Sequence, residues 1–228
     1  MAVRLPEHGR ADEQTLARLH PDEAAAAADM SEHRARTYVG GRLALRAALR
    51  AAGVDAAAAI LTNESGAPRL PTGAWGSISH KSTLAIAVAQ VATGEGALGI
   101  DLEHDGPGQI DISRRVLRAE ELAAVTGTTD GERMTYARRA FSIKEAVYKA
   151  GHPLAQRFFG FQEAQVDVPI GVRMSEFYQV QTRLVPDGWR PDFAMTSYFY
   201  VMSNWVVSVV LALRNTETAL RNNGLDGR

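Results

Sequence analysis

The chain has 228 residues and contains no cysteine. Disulfide bonds, thiolate metal sites and thiol nucleophiles are therefore excluded, and the absence fits a reducing cytosol. An excess of charge of either sign is also absent, because 25 Lys and Arg residues stand against 26 Asp and Glu residues, a formal net charge of −1. This balance argues against binding to nucleic acid, but it leaves room for a local basic pocket that takes a phosphorylated small molecule.

Long apolar runs are missing as well. The N-terminal stretch has no apolar core of signal-peptide length, and the most apolar run, residues 205–213, is too short to cross a bilayer. We therefore expect a cytoplasmic protein that does not insert into membranes. The hydrophobic fraction of 46% is that of an ordinary globular protein with a buried core.

Helices and strands can be predicted from the spacing of apolar residues and from turn signals. Residues 31–53 predict a long helix, in which the adjacent Gly40 and Gly41 indicate close approach of another group. Residues 77–80 and 96–106 predict strands, and residues 83–92 predict a strand whose alanines leave a helix possible.

The second part of the chain begins with predicted helices and continues with predicted strands. We expect one helix to end at Gly127, and a stronger one to end at Gly151 with Pro153 as the stop signal. Three strand-like runs follow Phe161. With residues 93–96 as the midpoint, we expect an N-terminal half of residues 1–95, a C-terminal half of residues 96–213 and a polar tail of residues 214–228.

Two carboxylates lie two residues apart on the predicted strand at 96–106. Asp101 and Glu103 share one face, and the apolar residues that alternate with them point the other way. The strand rise separates the two by about 7 Å, so they repel each other unless a cation lies between them. Hard oxygen ligands of this kind suit Mg²⁺ or Mn²⁺. The alternative is a solvated strand edge with ordinary negative charges.

Further charged residues lie on the predicted helix and near the first strand. Glu145 and Lys149 are four residues apart and share a helix face, whereas Lys144 projects about 100° away from Glu145. Without other information this pair is an everyday surface ion pair. His80, at the end of its strand, is either a structural residue or a phosphate ligand.

The order of three motifs is more specific than any of them alone. The segments SISH at residues 77–80, LGIDLE at 98–103 and FSIKEAVYK at 141–149 resemble the 4′-phosphopantetheinyl transferase superfamily. The resemblance is to the monomeric surfactin-synthetase-activating type, whose members carry (V/I)G(I/V)D-x-E and F-(S/C/T)-x-K-E-(A/S)-x-x-K. Leu98 is a mild departure that changes no chemistry. The helix from Arg34 onwards is similar to the enterobactin-type and actinobacterial members.

The resemblance implies an α/β fold of two similar α/β halves related by a pseudo-twofold axis, with coenzyme A in the cleft between them. It also implies a monomeric enzyme that moves the 4′-phosphopantetheine arm of coenzyme A onto a serine of an acyl or peptidyl carrier protein and releases adenosine 3′,5′-bisphosphate. Carrier proteins of fatty-acid, polyketide and nonribosomal-peptide synthesis all remain open. The alternatives are a catalytically idle carrier-binding module and another Mg²⁺-dependent transferase that acts on a nucleotide or diphosphate.

The resemblance further assigns roles to individual residues. The implied metal ligands are Asp101, Glu103 and Glu145; the implied catalytic residues are Glu145, Lys149 and Lys144; and the implied coenzyme-binding residues are Arg34, Arg42, Ser79, His80, Lys144 and Lys149. Glu145 is the expected base for the serine hydroxyl.

Two details of the resemblance differ or stay open. The G-(K/R/E)-P loop of the family has Ala67 in the middle here, and we expect Arg69 to replace the lysine that relatives carry in this region. The segment at residues 111–122 is a candidate surface for docking of the carrier protein.

Overall fold

The computed structural model describes residues 1–169, 171–185, 188 and 190–215. Most of the predicted polar tail, from residue 216 onwards, therefore lies outside the described residues. The chain forms two compact units, Met1–Thr93 and Gly94–Arg228.

The first unit combines helices with an antiparallel sheet. Its elements are β1 (Ala2–Arg4), α1 (Glu13–Leu16), α2 (Pro21–Ala28), α3 (Glu32–Ala51), β2 (Ala74–Lys81) and β3 (Leu84–Val91). The three strands pair in the order β1-β3-β2, so the central strand is the last in sequence. The helix predicted for residues 31–53 and the strands predicted at 77–80 and 83–92 are thereby confirmed.

Helix α3 packs closely on this sheet. A Cβ atom at Gly40 would overlap the side chain of Leu5 and lie 3.3 Å from Cβ of Ala85, and one at Gly41 would lie 3.0 Å from Ile78. The two glycines therefore let the helix approach the strands, which outweighs their cost to the helix. The two glycines predicted the close approach of another group to the helix, and that group is the sheet.

The second unit carries the longest helix of the described residues and most of the strands. Its elements are β4 (Gly96–His104), α4 (Ser113–Val116), α5 (Ala119–Ala124), α6 (Asp130–Ala155), a 3₁₀ turn (Phe161–Glu163), β5 (Ala164–Val166), β6 (Phe177–Val180), β7 (Thr182–Leu184), β8 (Phe193–Met202) and β9 (Trp205–Arg214). One antiparallel sheet has the order β4-β9-β8-β6, and β5 pairs with β7. The strand predicted at 96–106 is confirmed, and it ends at His104.

Helix α6 lies against β4 and supplies much of the core of this unit. Ile143, Val147 and Ala150 are fully buried in a cluster with residues of β8 and β9, such as Phe199 and Val210. At Gly99 of β4, a Cβ atom would overlap the carbonyl oxygen of Ala146 and lie 2.8 Å from the backbone nitrogen of Ala150. This close contact requires glycine and fixes the distance between strand and helix.

The predicted end of α6 at Gly151 is wrong. The helix continues to Ala155, with Pro153 inside it, and Gln156 takes the left-handed conformation at its C-cap, with φ of 50°. Proline in the last turn removes only one helical hydrogen bond there. A Cβ atom at Gly151 would lie 2.7 Å from Met195 Cε and 2.8 Å from Phe159 Cζ, so this glycine provides room for side-chain packing.

The single helix predicted to end at Gly127 is also wrong. Two short helices, α4 and α5, replace it, because the chain becomes extended at Leu117 and Arg118. Both Val116 and Leu117, on either side of the start of this extended step, are buried in the core.

The mixed α/β class that was expected is confirmed, and the pseudo-twofold relation between two halves stays a prediction. No helix within the described residues is long and apolar enough to span a membrane.

Candidate active site

Strand β4 presents its two acidic residues on the face that packs against α6. Asp101 pairs with Ser208 and Glu103 with Val206 of β9, in the same register pattern that places Gly99 opposite Val210. Alternation along the strand puts Gly99, Asp101 and Glu103 on one face, and Gly99 touches the backbone of α6. Asp101 and Glu103 are buried, with 5% and 7% of their surface exposed. The solvated strand edge, which was the alternative, does not fit this burial.

Glu145 faces these carboxylates from α6. Burial raises the pKa of the Glu145 carboxyl above its ordinary value. Lys149 opposes the increase, whereas the negative charges of Asp101 and Glu103 add to it. The three carboxylates are therefore close enough to influence one another, and a carboxylate in such surroundings is a stronger base than one in water.

Lys149 links the helix to the acidic strand. Its Nζ atom donates to Asp101 Oδ1 at 2.7 Å and to the carbonyl oxygen of Ile100 at 3.0 Å. The side chain keeps 28% of its surface exposed, against 7% for that of Asp101. The predicted helix-face pair, Glu145 and Lys149, is thus part of a mixed-charge cluster in which the lysine contacts Asp101.

The rest of the motif on α6 holds the helix in place. Ser142 is fully buried, and its Oγ lies 2.9 Å from Oγ of Ser208, the β9 residue opposite Asp101. The Phe141 ring packs on Phe161, with centroids 5.4 Å apart. These contacts fix α6 on the sheet, one turn before Glu145.

The donor chemistry of the cluster suits a hard divalent cation. Three carboxylates around one strand–helix junction are the oxygen ligands that Mg²⁺ takes in proteins. Within the part of the chain that the structure describes, however, no three His, Cys, Asp or Glu side chains form a group tight enough to hold a metal ion as they stand. The residue types fit the cation.

Lys144 points away from this cluster. Its side chain is fully buried, and Nζ donates to Glu121 Oε2 at 2.7 Å, to the carbonyl oxygen of Val116 at 2.8 Å and to that of Phe161 at 3.1 Å. Burial lowers the pKa of Lys144, against the opposing effect of Glu121. All three donors of the ammonium are used by the protein. The expected contact of Lys144 with a coenzyme phosphate therefore has no support in the structure.

The other predicted coenzyme-binding residues belong to the first unit. Arg34 is exposed in the first turn of α3, and His80 is exposed near the end of β2, next to the buried Ser79. Arg42 is 5% exposed; it donates to the carbonyl oxygen of Ile60 and lies over the Tyr38 ring, 4.3 Å from the centroid. Arg34 and His80 are exposed, whereas Arg42 is buried and donates to the protein.

Arg46, one turn further along the same helix, has a structural role. It forms a buried two-bond ion pair with Glu23, with distances of 2.8 and 2.9 Å, and it also bonds to the carbonyl oxygens of Ala56 and Ala58. Glu23 in turn accepts from the backbone of Ile60 at 2.7 Å. Since the charge is neutralised and enclosed, Arg46 offers nothing to a phosphate.

The loop with the unusual alanine is a tight turn. Asn63 N donates to the carbonyl oxygen of Ala67 at 2.8 Å, and Gly66 has the positive φ of 87° that the turn needs. Arg69 follows it and is exposed, so the expected replacement of the lysine stays a prediction.

Sequence reasoning missed two residues that shape the site. Glu121 lies in a segment that was read as one helix, and no spacing rule connects it with Lys144, which is 23 positions away. Gly99 lies on the same strand face as the two acids, and a glycine among strand residues is itself a signal of close backbone approach.

Comparison with known families agrees with this arrangement. Residues 22–90 match the 4′-phosphopantetheinyl transferase N-terminal domain, and residues 97–197 match the 4′-phosphopantetheinyl transferase superfamily. The second match includes β4 with its two carboxylates and all of α6. The chain belongs to the 4′-phosphopantetheinyl transferase superfamily.

Three relatives with similar sequences come from actinobacteria. The chain is 31% identical over 169 residues to the 4′-phosphopantetheinyl transferase Svp of Streptomyces mobaraensis, an alignment that spans 72% of this chain and 68% of Svp. It is 34% identical over 154 residues to Npt of Nocardia iowensis, across 66% of this chain and 67% of Npt. It is 33% identical over 150 residues to PptT of Mycobacterium tuberculosis, across 64% and 63%. The family and its actinobacterial affinity, expected from the motifs, are confirmed.

Proposed function

We propose that the protein transfers the 4′-phosphopantetheine group of coenzyme A to a serine hydroxyl of a carrier protein, which converts the apo form into the holo form. The Oγ–P bond to serine forms as the P–O bond inside the diphosphate breaks, and adenosine 3′,5′-bisphosphate leaves. Membership of the family and the three relatives named for this activity support the proposal. Its partners are coenzyme A and a carrier protein, and we expect a cytoplasmic monomer.

The observation that carries the proposal is the acidic cluster between β4 and α6. Glu145 combines partial burial with two neighbouring carboxylates, which raises the pKa of its own carboxyl. A base whose pKa lies closer to the working pH accepts a proton more readily in the transition state. Glu145 is the residue that takes the proton of the serine hydroxyl as the new bond forms.

Lys149 supplies positive charge beside that base. It is partly exposed, and its ammonium is already held at Asp101. Negative charge shifts to the leaving diphosphate oxygen during transfer, and a fixed ammonium stabilises that charge. Lys149 therefore orients the coenzyme diphosphate and supports the leaving group.

Asp101, Glu103 and Glu145 would hold Mg²⁺, or Mn²⁺ in its place. When bound, the cation neutralises charge on the diphosphate. The support for it is the chemistry of three carboxylates at one strand–helix junction, because carboxylate oxygens are the ligands that Mg²⁺ takes in proteins.

Arg34 and His80 are the proposed ligands of the coenzyme phosphates in the first unit. Both are exposed, and both carry or can carry the positive charge that a phosphate requires. Arg42 and Ser79 are buried and serve, in this proposal, as neighbours that shape the phosphate site.

The test is a transfer assay read by mass. Purified protein is mixed with an apo carrier protein, coenzyme A and Mg²⁺, and the intact mass of the carrier is recorded over time. We expect the carrier to gain one phosphopantetheine unit, with no gain in EDTA and none on a carrier whose acceptor serine is replaced by alanine.

The same assay separates the two alternatives. Binding of coenzyme A and of the carrier without any mass gain would identify an idle binding module. Failure to bind coenzyme A in calorimetry, together with tight binding of another nucleotide, would identify a different Mg²⁺-dependent transferase. Either result would overturn the proposal.

A further inference from the structure

Lys144 is the residue of the α6 motif whose surroundings fit least with a ligand contact. Its ammonium is enclosed by three acceptors from three different segments: Val116 at the end of α4, Glu121 in α5 and Phe161 in the 3₁₀ turn. An ammonium has three N–H donors, so this set satisfies it. A buried charge with such complete pairing is a fixed structural element and not a side chain that waits for a phosphate.

Glu121 extends the network on the other side of the ion pair. Its Oε1 accepts from the backbone of Val166 in β5 at 2.8 Å, and its Oε2 accepts from the backbone of Arg118 at 2.7 Å as well as from Lys144. Glu121 is 3% exposed. One buried pair therefore ties α4, α5, the 3₁₀ turn and β5 to a single point on α6.

The position of Lys144 on α6 affects the direction in which the Glu145 side chain leaves the helix. Lys144 and Glu145 are neighbours, so their side chains leave α6 about 100° apart. Ser142 holds α6 to β9 through Ser208, and Lys144, about 200° round from Ser142, holds it to the α4–α5 segment. Two anchors on nearly opposite sides prevent the helix from turning about its axis.

We propose that Lys144 is a positioning residue that, through its buried pair with Glu121, fixes the rotation of α6 and so aims Glu145 at Asp101 and Glu103. This inference rests on the proposed transferase function, because Glu145 is the group being aimed. It replaces the expected role of Lys144 as a phosphate ligand. It also adds Glu121, which lies outside the motif, to the residues on which turnover depends.

A double-mutant cycle with Lys144→Met, Glu121→Gln and their combination tests it in the full-length protein. We expect each single variant to lower kcat for carrier modification by about tenfold or more with little change in the KM for coenzyme A. The double variant should be no slower than the slower single variant, because both changes break the same tether.

Calorimetry with coenzyme A provides a readout apart from turnover. Lys144→Met should bind coenzyme A within about twofold of the wild type, whereas Lys149→Met should bind it about tenfold more weakly. Val180→Ala is the matched stability control: Val180 is buried in β6, the strand furthest from β4 in the sheet, so the change should lower Tm and leave kcat unchanged.

Three results would overturn the inference. One is weaker coenzyme binding by Lys144→Met together with wild-type behaviour of Glu121→Gln, which would make Lys144 a phosphate ligand. The second is unchanged kcat in both variants, and the third is an equal loss of kcat in Val180→Ala. If Lys144→Met does not fold, kcat and the affinity for coenzyme A are measured with Glu121→Gln alone. A wild-type protein that modifies no carrier would instead overturn the proposed function, and the two failures are therefore distinguishable.

Discussion

At the scale of single residues, Glu145 and Lys149 lie one helix turn apart, carry opposite charges and have different surroundings. Burial raises the pKa of the Glu145 carboxyl, and the negative charges of Asp101 and Glu103 add to this effect. Lys149 forms an ion pair with Asp101 and keeps part of its side chain exposed. The spacing of four residues in the sequence is common on helix surfaces. Their position beside two buried acids of β4 gives this pair its chemical significance.

Replacement of Lys149 by glutamine should reduce transfer strongly. Loss of a fixed charge that stabilises the transition state costs about 100-fold in rate. The measurement is the initial rate of carrier modification at saturating coenzyme A.

Arg133→Gln is the matched control for that change. Arg133 lies on the same helix and pairs with Asp130 and Asp111 in exposed positions. The Arg133→Gln change should leave the rate of carrier modification unchanged. Equal rates for Lys149→Gln and the wild type would show that the lysine has no part in the transfer.

At the scale of elements, the contact between β4 and α6 decides where the acidic cluster forms. Gly99 lets the helix backbone approach the strand, and Ser142 bonds to Ser208 on the next strand. Strand and helix were each predictable from periodicity, and so was the shared face of Asp101 and Glu103. Their contact was not, because nothing in residue spacing says which strand a helix packs against.

The errors at element ends have the same physical origin. Gly151 and Pro153 are ordinary stop signals, yet α6 continues past both to Ala155, and Gly151 leaves room there for Phe159 and Met195. Likewise, the 113–127 segment becomes extended at Leu117 and Arg118, and both Val116 and Leu117 are buried. The partner of Lys144 could not be predicted for a related reason: Glu121 is distant in sequence, and only packing brings the two together. Local signals are overruled where tertiary packing gains more.

Gly99→Ala tests the close contact of β4 and α6. The added methyl group would overlap the carbonyl oxygen of Ala146, so strand and helix must separate. Overpacking of this kind costs about 2 kcal/mol, and we expect Tm to fall by about 5 °C or more together with loss of transfer. Gly131→Ala, at an open position of the first turn of α6, should keep or slightly raise Tm. Equal Tm values for the two variants would contradict the contact.

Asp111, just before α4, provides a prediction about pH. Hydrogen bonding to Ser113, whose backbone N–H donates to Asp111 Oδ1 at 2.8 Å, and the pairing with Arg133 lower the pKa of Asp111 from 3.8 to about 2. A carboxyl whose pKa is lower in the folded state stabilises the protein above the unfolded pKa, and this contribution disappears as the pH falls through the folded pKa. Asp111→Asn should therefore lower Tm by about 1–3 °C near neutral pH, since exposed pairs contribute little.

The check is a set of Tm measurements from about pH 6 down to about pH 3. The difference in Tm between the wild type and Asp111→Asn should become smaller as the pH falls below about 4, because protonation of Asp111 then begins to remove its stabilising charge. A gap of constant size would mean that the charge of Asp111 does not stabilise the segment.

At the scale of the whole molecule, the family indicates the activity, and the residues proposed for it are distributed over both units of the chain. The second unit, Gly94–Arg228, contains the acidic cluster, the proposed base and the lysine beside it. The first unit, Met1–Thr93, contains the exposed Arg34 and His80 that are proposed to meet the coenzyme phosphates. Substitutions in the first unit should therefore raise the KM for coenzyme A, and substitutions in the acidic cluster should lower kcat.

The most direct test of the account compares the wild type with Glu145→Gln in the mass assay with apo carrier protein, coenzyme A and Mg²⁺. The wild type should add one phosphopantetheine unit to the acceptor serine, and Glu145→Gln, with an unchanged circular-dichroism spectrum, should be slower by at least about 100-fold. A Glu145→Gln protein that modifies the carrier at the wild-type rate would contradict the proposed role of the acidic cluster.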